Sequence, residues 1–197
     1  MIKRIIDIVG AGFGLMVLSP LMVFLAVKIN KNDGGSVFYA GERIGKGGKK
    51  FKMFKFRTMV ANAEKMGGPS TASDDPRLTK IGLFLKKYQL DELPQLINVL
   101  KGEMSLVGPR PEVKMYVDMM TPEEKDVILS VRPGMTDYAS LWNFHEGETL
   151  KGSKDPEKTY QEKIRPKKLE LQKKYVKEHS LFVDIKIILS TVFKIFS

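Results

Sequence analysis

The sequence predicts an α+β protein, mostly helical, with a short β-hairpin, an N-terminal re-entrant membrane helix broken at Ser19-Pro20, and amphipathic interfacial helices. Three stretches carry this prediction. Residues Ile8 to Val27 contain no charge, Val37 to Met59 reads as two strands about a glycine-rich turn, and the last third repeats apolar residues at helical spacing.

The first run, IVGAGFGLMVLSPLMVFLAV, is about as long as a helix needs to cross a bilayer. Proline near its middle removes one helical hydrogen bond and predicts a bend, and the Ser19 hydroxyl can take up the carbonyl that Pro20 frees. Lys3 and Arg4 precede the run and Lys28 and Lys31 follow it, so both flanks prefer the cytoplasmic side. A helix that enters, bends and returns satisfies both flanks, whereas a straight span exports one. A signal peptide would have a shorter apolar core and a small-residue cleavage site. A buried core helix would show a polar face, and here apolar residues occupy every face. Residues 1–32 are therefore expected to form a helix-break-helix in the membrane, and residues 33–197 a cytoplasmic, membrane-associated domain.

In that domain the hairpin turns at Gly45–Gly48, and Lys55 and Arg57 share one face of its second strand. They are either cationic guards of a sheet edge or phosphate ligands. Ala61 to Pro76 is small and polar and reads as a mobile loop. A helix is expected over Leu78 to Tyr88 with Ile81, Phe84 and Leu85 inward, and Thr121 opens another through a capping box. Pro166 to Glu178 reads as a basic helix. Leu181 to Phe196 is amphipathic, with Leu181, Ile185, Ile188, Leu189, Val192 and Phe196 on one stripe that suits either a membrane surface or the protein's own core.

Composition narrows the chemistry. The chain of 197 residues carries a formal charge of +10, which points to nucleic acid, an anionic membrane or phosphorylated substrates. It has no cysteine and two histidines, so thiolate catalysis, disulfides and nitrogen- or sulfur-rich metal sites are excluded. A metal site would use oxygen ligands, favouring magnesium, manganese or calcium.

Against this positive background, LDELPQLINVLKGEMSLVGPRPE sets Asp91 beside Glu92. Pro94 disfavours helical geometry at Leu93 and suits the first position of a helix running to Gly102. The two acids then stand before a helix N-terminus, which favours negative charge and would hold both ionised. They are caps, or they are metal ligands with a nucleophile between them. Gly108-Pro109-Arg110-Pro111 and Arg132-Pro133-Gly134 each present an arginine from a proline-stiffened turn, a device suited to bidentate phosphate binding.

DELPQLINVLKGEMSLVGPRPE, preceded by KMFKFRTM and followed by RPGMT, closely resembles the bacterial sugar transferases, or monotopic phosphoglycosyl transferases, in their minimal single-domain form. The resemblance extends over essentially the whole chain. It implies transfer of a sugar-1-phosphate from a UDP-sugar to undecaprenyl phosphate at the bacterial inner membrane, facing the cytoplasm, with release of UMP. Such a product starts an O-antigen, capsule or exopolysaccharide. The resemblance makes Asp91 the nucleophile that takes up the phosphosugar, and Asp91 and Glu92 the ligands of Mg²⁺, with Mn²⁺ a substitute. Arg110, Arg132, Lys55, Arg57, Lys86, Pro133, Gly134 and Thr136 would bind phosphate or substrate. Nucleic acid is then set aside as a partner, and a homodimer stays open. Three positions depart from the family: Lys86 stands where relatives have arginine, Asp137-Tyr138-Ala139-Ser140 replaces the usual continuation after Thr136, and Gly41 replaces a glutamine. Without the resemblance, a non-catalytic, membrane-tethered basic binding module accounts for the composition.

Overall fold

A computed structural model describes residues 2–196. Its first element is one helix, α1 (Ile2–Asp33), which continues through Pro20. The expected break is a single missing hydrogen bond. Pro20 cannot donate to the Met16 carbonyl, and the Ser19 hydroxyl does so instead at 3.0 Å. Helical backbone therefore persists where the sequence predicted two helices.

Of the most apolar 18-residue window of α1, 11% is buried, which removes the core-helix alternative. Phe13, Met16, Val17, Val23 and Phe24 all face outward. Even so, both halves of α1 dock on the same body. Early in the helix, buried Asp7 accepts from the Ser105 hydroxyl at 2.9 Å and from Leu106 N–H at 3.0 Å. Ala11 packs among Leu96, Val99 and Met104. Beyond the proline, Leu25 and Ile29 pack on Phe56 and Leu85.

The hairpin forms as the sequence predicts. β1 (Phe38–Ile44) pairs antiparallel with β2 (Lys50–Phe56), Phe38 facing Phe56, and Gly47 and Gly48 adopt the left-handed backbone that glycine permits in the turn. Asn98, fully buried, accepts from Phe54 N–H at 2.9 Å and donates to the Lys52 carbonyl at 2.8 Å. That one side chain fixes β2 against the helix that follows the acidic pair.

The stretch after β2 is irregular, as expected of a loop, but it is held at several points. Arg77 pairs with Asp75 at 2.7 Å and donates to the carbonyls of Ala63, Gly68 and Ser70. Helix α2 (Lys80–Lys87) starts later than predicted because the Thr79 hydroxyl caps it, accepting from Gly82 N–H at 3.0 Å. Gly82 is required there: a Cβ would lie 1.9 Å from the Thr58 carbonyl oxygen. Leu85 is buried as expected, but Phe84 faces outward against the Tyr88 ring.

Helix α3 (Gln95–Lys101) ends at Gly102 with φ 84°, a left-handed C-cap. β3 (Ser105–Val107) then leads into α4 (Lys114–Asp118) and α5 (Pro122–Ile128), whose capping box between Thr121 and Glu124 is fully formed. β4 (Gly134–Thr136) returns parallel to β3 in the register Ser105 to Gly134, a pairing the sequence did not suggest. Short helices α6 (Tyr138–Trp142), α7 (Glu146–Leu150) and α8 (Pro156–Thr159) lead through a wide turn into α9 (Arg165–Glu178).

The last helix, α10 (Leu181–Phe196), turns a different face inward from the one predicted. Asp184 and Ile187 are buried, whereas Ile185, Leu189 and Val192 are exposed; of the predicted stripe, Ile188 is half-buried, and the Phe196 side chain lies outside the described residues. Polar contacts explain the rotation. Asp184 accepts from Lys3 at 2.6 Å and from the Tyr175 hydroxyl at 2.6 Å, so its face must point inward.

Candidate active site

Asp91 and Glu92 lie in a single tight turn, Leu90–Glu92, entered through Gln89 with φ 55°. A left-handed backbone is uncommon for glutamine. The Gln89 amide donates to the Phe144 carbonyl at 3.0 Å, which anchors the turn from the far side of the cleft. Leu93 is helical (φ −52°, ψ −37°) despite the proline that follows it, so the turn runs straight into α3. No side chain caps α3, and the capping alternative for the acidic pair fails.

The two acids have different surroundings. Lys55 Nζ lies 2.8 Å from Glu92 Oε1 and 3.8 Å from Asp91 Oδ2. Arg110 pairs with the same Glu92 oxygen and donates to the Met135 carbonyl at 3.0 Å. The Arg110 main-chain carbonyl in turn accepts from buried Gln172 of α9 at 3.2 Å, so both the backbone and the guanidinium of Arg110 are tied down. Burial pushes the Glu92 carboxyl up, but Arg110 and Lys55 outweigh it and hold Glu92 far below the usual carboxylate range. For Asp91 burial wins, aided by the Glu92 charge and opposed by Lys55, and its carboxyl is raised. The shift at Glu92 thus runs in the direction the sequence reading expects, whereas at Asp91 burial opposes the charge that the helix terminus favours.

One cleft contains Asp91, Glu92, Lys55, Lys86, Arg110, Arg57 and Thr136. Burial lowers the Lys86 ammonium, with Asp91 opposing. Arg57 follows β2 and reaches toward Gly35, where a Cβ would lie 2.7 Å from its Nη1. Thr136 shares a hydrogen bond of 2.8 Å with Thr191 of α10. Arg132 is not brought to this group: it is exposed and donates to the Gly102 carbonyl at the end of α3. Pro133 and Gly134 serve the backbone. Ser105 N–H donates to the Pro133 carbonyl, and a Cβ on Gly134 would fall 2.0 Å from Gly108 N, so the two arginine turns interlock main chain to main chain.

Several cleft residues carried no sequence signal. Lys168 of α9 pairs with Glu112 at 2.7 Å and donates to the Tyr160 hydroxyl at 2.9 Å, and Glu146 adds a further negative charge to the same wall. Gln89 and Gln172 act through single long-range amide bonds, which no local pattern encodes.

Among the described residues, no three His, Cys, Asp or Glu side chains gather as a metal cage. Glu92 Oε1 already meets two cations, whereas Asp91 has its nearest cation at 3.8 Å. This donor set fits Mg²⁺, which dehydrates reluctantly and is commonly held by one or two carboxylates together with substrate phosphates. Asp91 would be the carboxylate that holds it, since Glu92 is paired with Lys55 and Arg110.

The bacterial sugar transferase family model matches residues 1–197. The chain is 36% identical over 193 residues to the UDP-N-acetylgalactosamine-undecaprenyl-phosphate N-acetylgalactosaminephosphotransferase of Aeromonas hydrophila, covering 97% of this chain and 43% of that protein. It is 37% identical over 196 residues to the UDP-glucose:undecaprenyl-phosphate glucose-1-phosphate transferase of Escherichia coli, covering 98% and 40%. With the exopolysaccharide production protein ExoY of Rhizobium meliloti it shares 34% identity over 207 residues, covering 98% and 84%. The chain thus spans about two fifths of the first two relatives and most of the third. A buried acidic pair set among Lys55, Lys86 and Arg110, and a family match over the full length, lead to one conclusion: this chain belongs to the bacterial sugar transferase family.

Proposed function

We propose that the protein transfers a sugar-1-phosphate from a UDP-sugar to undecaprenyl phosphate, through a covalent intermediate on Asp91, as the first membrane step of polysaccharide assembly. The observation that carries this is the division of labour in the acidic pair: Glu92 is neutralised by Lys55 and Arg110, while Asp91 keeps its carboxylate for a substrate. An Asp91 oxygen attacks the sugar-linked phosphorus, the phosphoanhydride bond breaks, and UMP leaves with the bonding electrons. A phosphate oxygen of the acceptor then attacks the same phosphorus and frees Asp91. Lys55, Lys86 and Arg110 offset the charge of the phosphates during both displacements. Mg²⁺ held by Asp91 and the donor phosphates would supply further neutralisation of the diphosphate.

The acceptor's phosphate lies at a bilayer surface, so the catalyst must sit there as well. Two observations support a re-entrant α1 that keeps the domain on the cytoplasmic face of the inner membrane: basic residues flank both ends, and both halves of α1 contact the same domain. A straight span would carry one half away from it.

The test incubates purified protein with a panel of UDP-sugars, undecaprenyl phosphate and Mg²⁺, and identifies the nucleotide released. UMP is expected, and Asp91→Asn should abolish its release while the protein remains folded. Release of UDP, or full activity in Asp91→Asn, would overturn the proposal.

A further inference from the structure

The cleft that contains Asp91 is not polar throughout. Leu93, Leu106 and Met135 line it too, and α10 contributes Ile188, Val192 and Ile195. This apolar strip leads directly to the cationic group. The carbonyl of Met135 receives Arg110, the next residue Thr136 is hydrogen-bonded to Thr191 of α10, and Leu106 and Ile188 both pack against the buried Val107, Tyr175 and Ile187. Within α10, Thr191 stands three residues after Ile188 and four before Ile195, on the same face of the helix. Val192 is 49% exposed, so this wall lacks the covering that a core position would have.

We propose that this strip seats the hydrocarbon tail of the lipid acceptor, its first isoprene units lying between α10 and the Leu93–Leu106–Met135 surface, with the phosphate toward Arg110. The inference rests on the phosphosugar transfer proposed above and names where its second substrate enters. Charge complementarity selects the occupant. Cations at the head of a continuous apolar strip match an amphiphile with an anionic end, whereas a nucleotide-sugar is polar along its whole length and would gain nothing from the strip. Phe182 and Phe193 of α10, 77% and 75% exposed, do not line the cleft and are left to face the surrounding lipid.

The chain has a single tryptophan, Trp142, which lines the cleft and whose neighbour Leu141 accepts from Lys194 of α10 at 2.5 Å. Its fluorescence therefore reports binding without turnover. The full chain in detergent micelles is titrated with undecaprenyl phosphate and with farnesyl phosphate, as wild type, Val192→Asn and Phe193→Asn. Each variant removes an exposed apolar side chain, Val192 inside the cleft and the larger Phe193 outside it, so loss of apolar surface alone would favour the greater effect in Phe193→Asn. For undecaprenyl phosphate the midpoint should rise about tenfold in Val192→Asn, the effect of losing one apolar contact surface, and stay at the wild-type value in Phe193→Asn. Farnesyl phosphate should discriminate the variants less, because it fills less of the strip. Equal shifts in both variants would mean that α10 serves only the micelle or bilayer, and no shift in either would mean that the tail lies elsewhere; both overturn the proposal. UMP release is scored separately. A wild type that releases no UMP yet shows the expected difference in titration would sink the transfer reaction and still support the tail site.

Discussion

Lys55 Nζ lies 2.8 Å from Glu92 Oε1, and Arg110 reaches the same oxygen from the opposite segment of the chain. Two cations on one carboxylate leave its neighbour Asp91 electrostatically underserved. The pair that looks symmetric in sequence is therefore asymmetric in the fold, with Glu92 paired to two cations and Asp91 no closer than 3.8 Å to one.

This asymmetry predicts opposite stability effects. Glu92→Gln strands Lys55 and Arg110 without their counter-charge, and breaking a buried pair in this way costs about 3–5 kcal/mol. Asp91→Asn replaces a desolvated carboxylate by a neutral isostere and should leave the unfolding midpoint unchanged or raised. Thermal unfolding of both variants beside wild type checks the contrast. A Glu92→Gln protein as stable as wild type would contradict the assignment.

Asp7 is an acid near the start of an apolar helix, and its carboxylate joins α1 to β3. Asp7→Ala leaves the Ser105 hydroxyl and the Leu106 N–H without their acceptor, an expected loss of about 1–3 kcal/mol. Asp7→Asn retains an acceptor oxygen and should lose less. Denaturant unfolding in a fixed detergent separates the two.

The absence of cysteine permits a direct test of the re-entrant path. Single substitutions Ile2→Cys and Lys31→Cys bracket α1. An impermeant maleimide applied to intact spheroplasts should label neither, and after lysis it should label both. Labelling of either one from outside would establish a straight span.

Asp137 gives a pH dependence of known sign. It caps α6 by accepting from Ser140 N–H at 2.7 Å, while its Oδ2 is buried without a hydrogen-bond partner. Burial raises its carboxyl above the ordinary 3.8, with Ser140 opposing. The folded state then holds this proton more tightly than the unfolded state. Its contribution to stability is full below 3.8 and is lost as pH rises through the raised value. Asp137→Asn keeps the capping oxygen and cannot titrate. The stability difference should therefore move in favour of the variant as pH climbs from 4 toward neutrality, as melting curves at several pH values would show.

Much of the architecture follows from short-range chemistry that the sequence states openly. The glycine turn specifies the hairpin, Gly102 ends α3, Thr121 and Glu124 cap α5, and Ser19 repairs the bond that Pro20 removes. The candidate residues were also visible in the sequence, because the paired acids stand in the company of two arginines in proline-stiffened turns. Which arginine serves the pair was not legible. Arg110 and Arg132 stand in near-identical turns, and the parallel pairing of β3 with β4 directs one guanidinium to Glu92 and the other to the end of α3. The inward face of α10 was hidden for the same reason, since Asp184 answers to Lys3 at the other end of the chain. Hydrophobic period and capping act over three or four residues, whereas these choices depend on groups 18 to 181 residues apart. Local sequence thus determined the elements and the charged side chains; only their packing decided which charges meet.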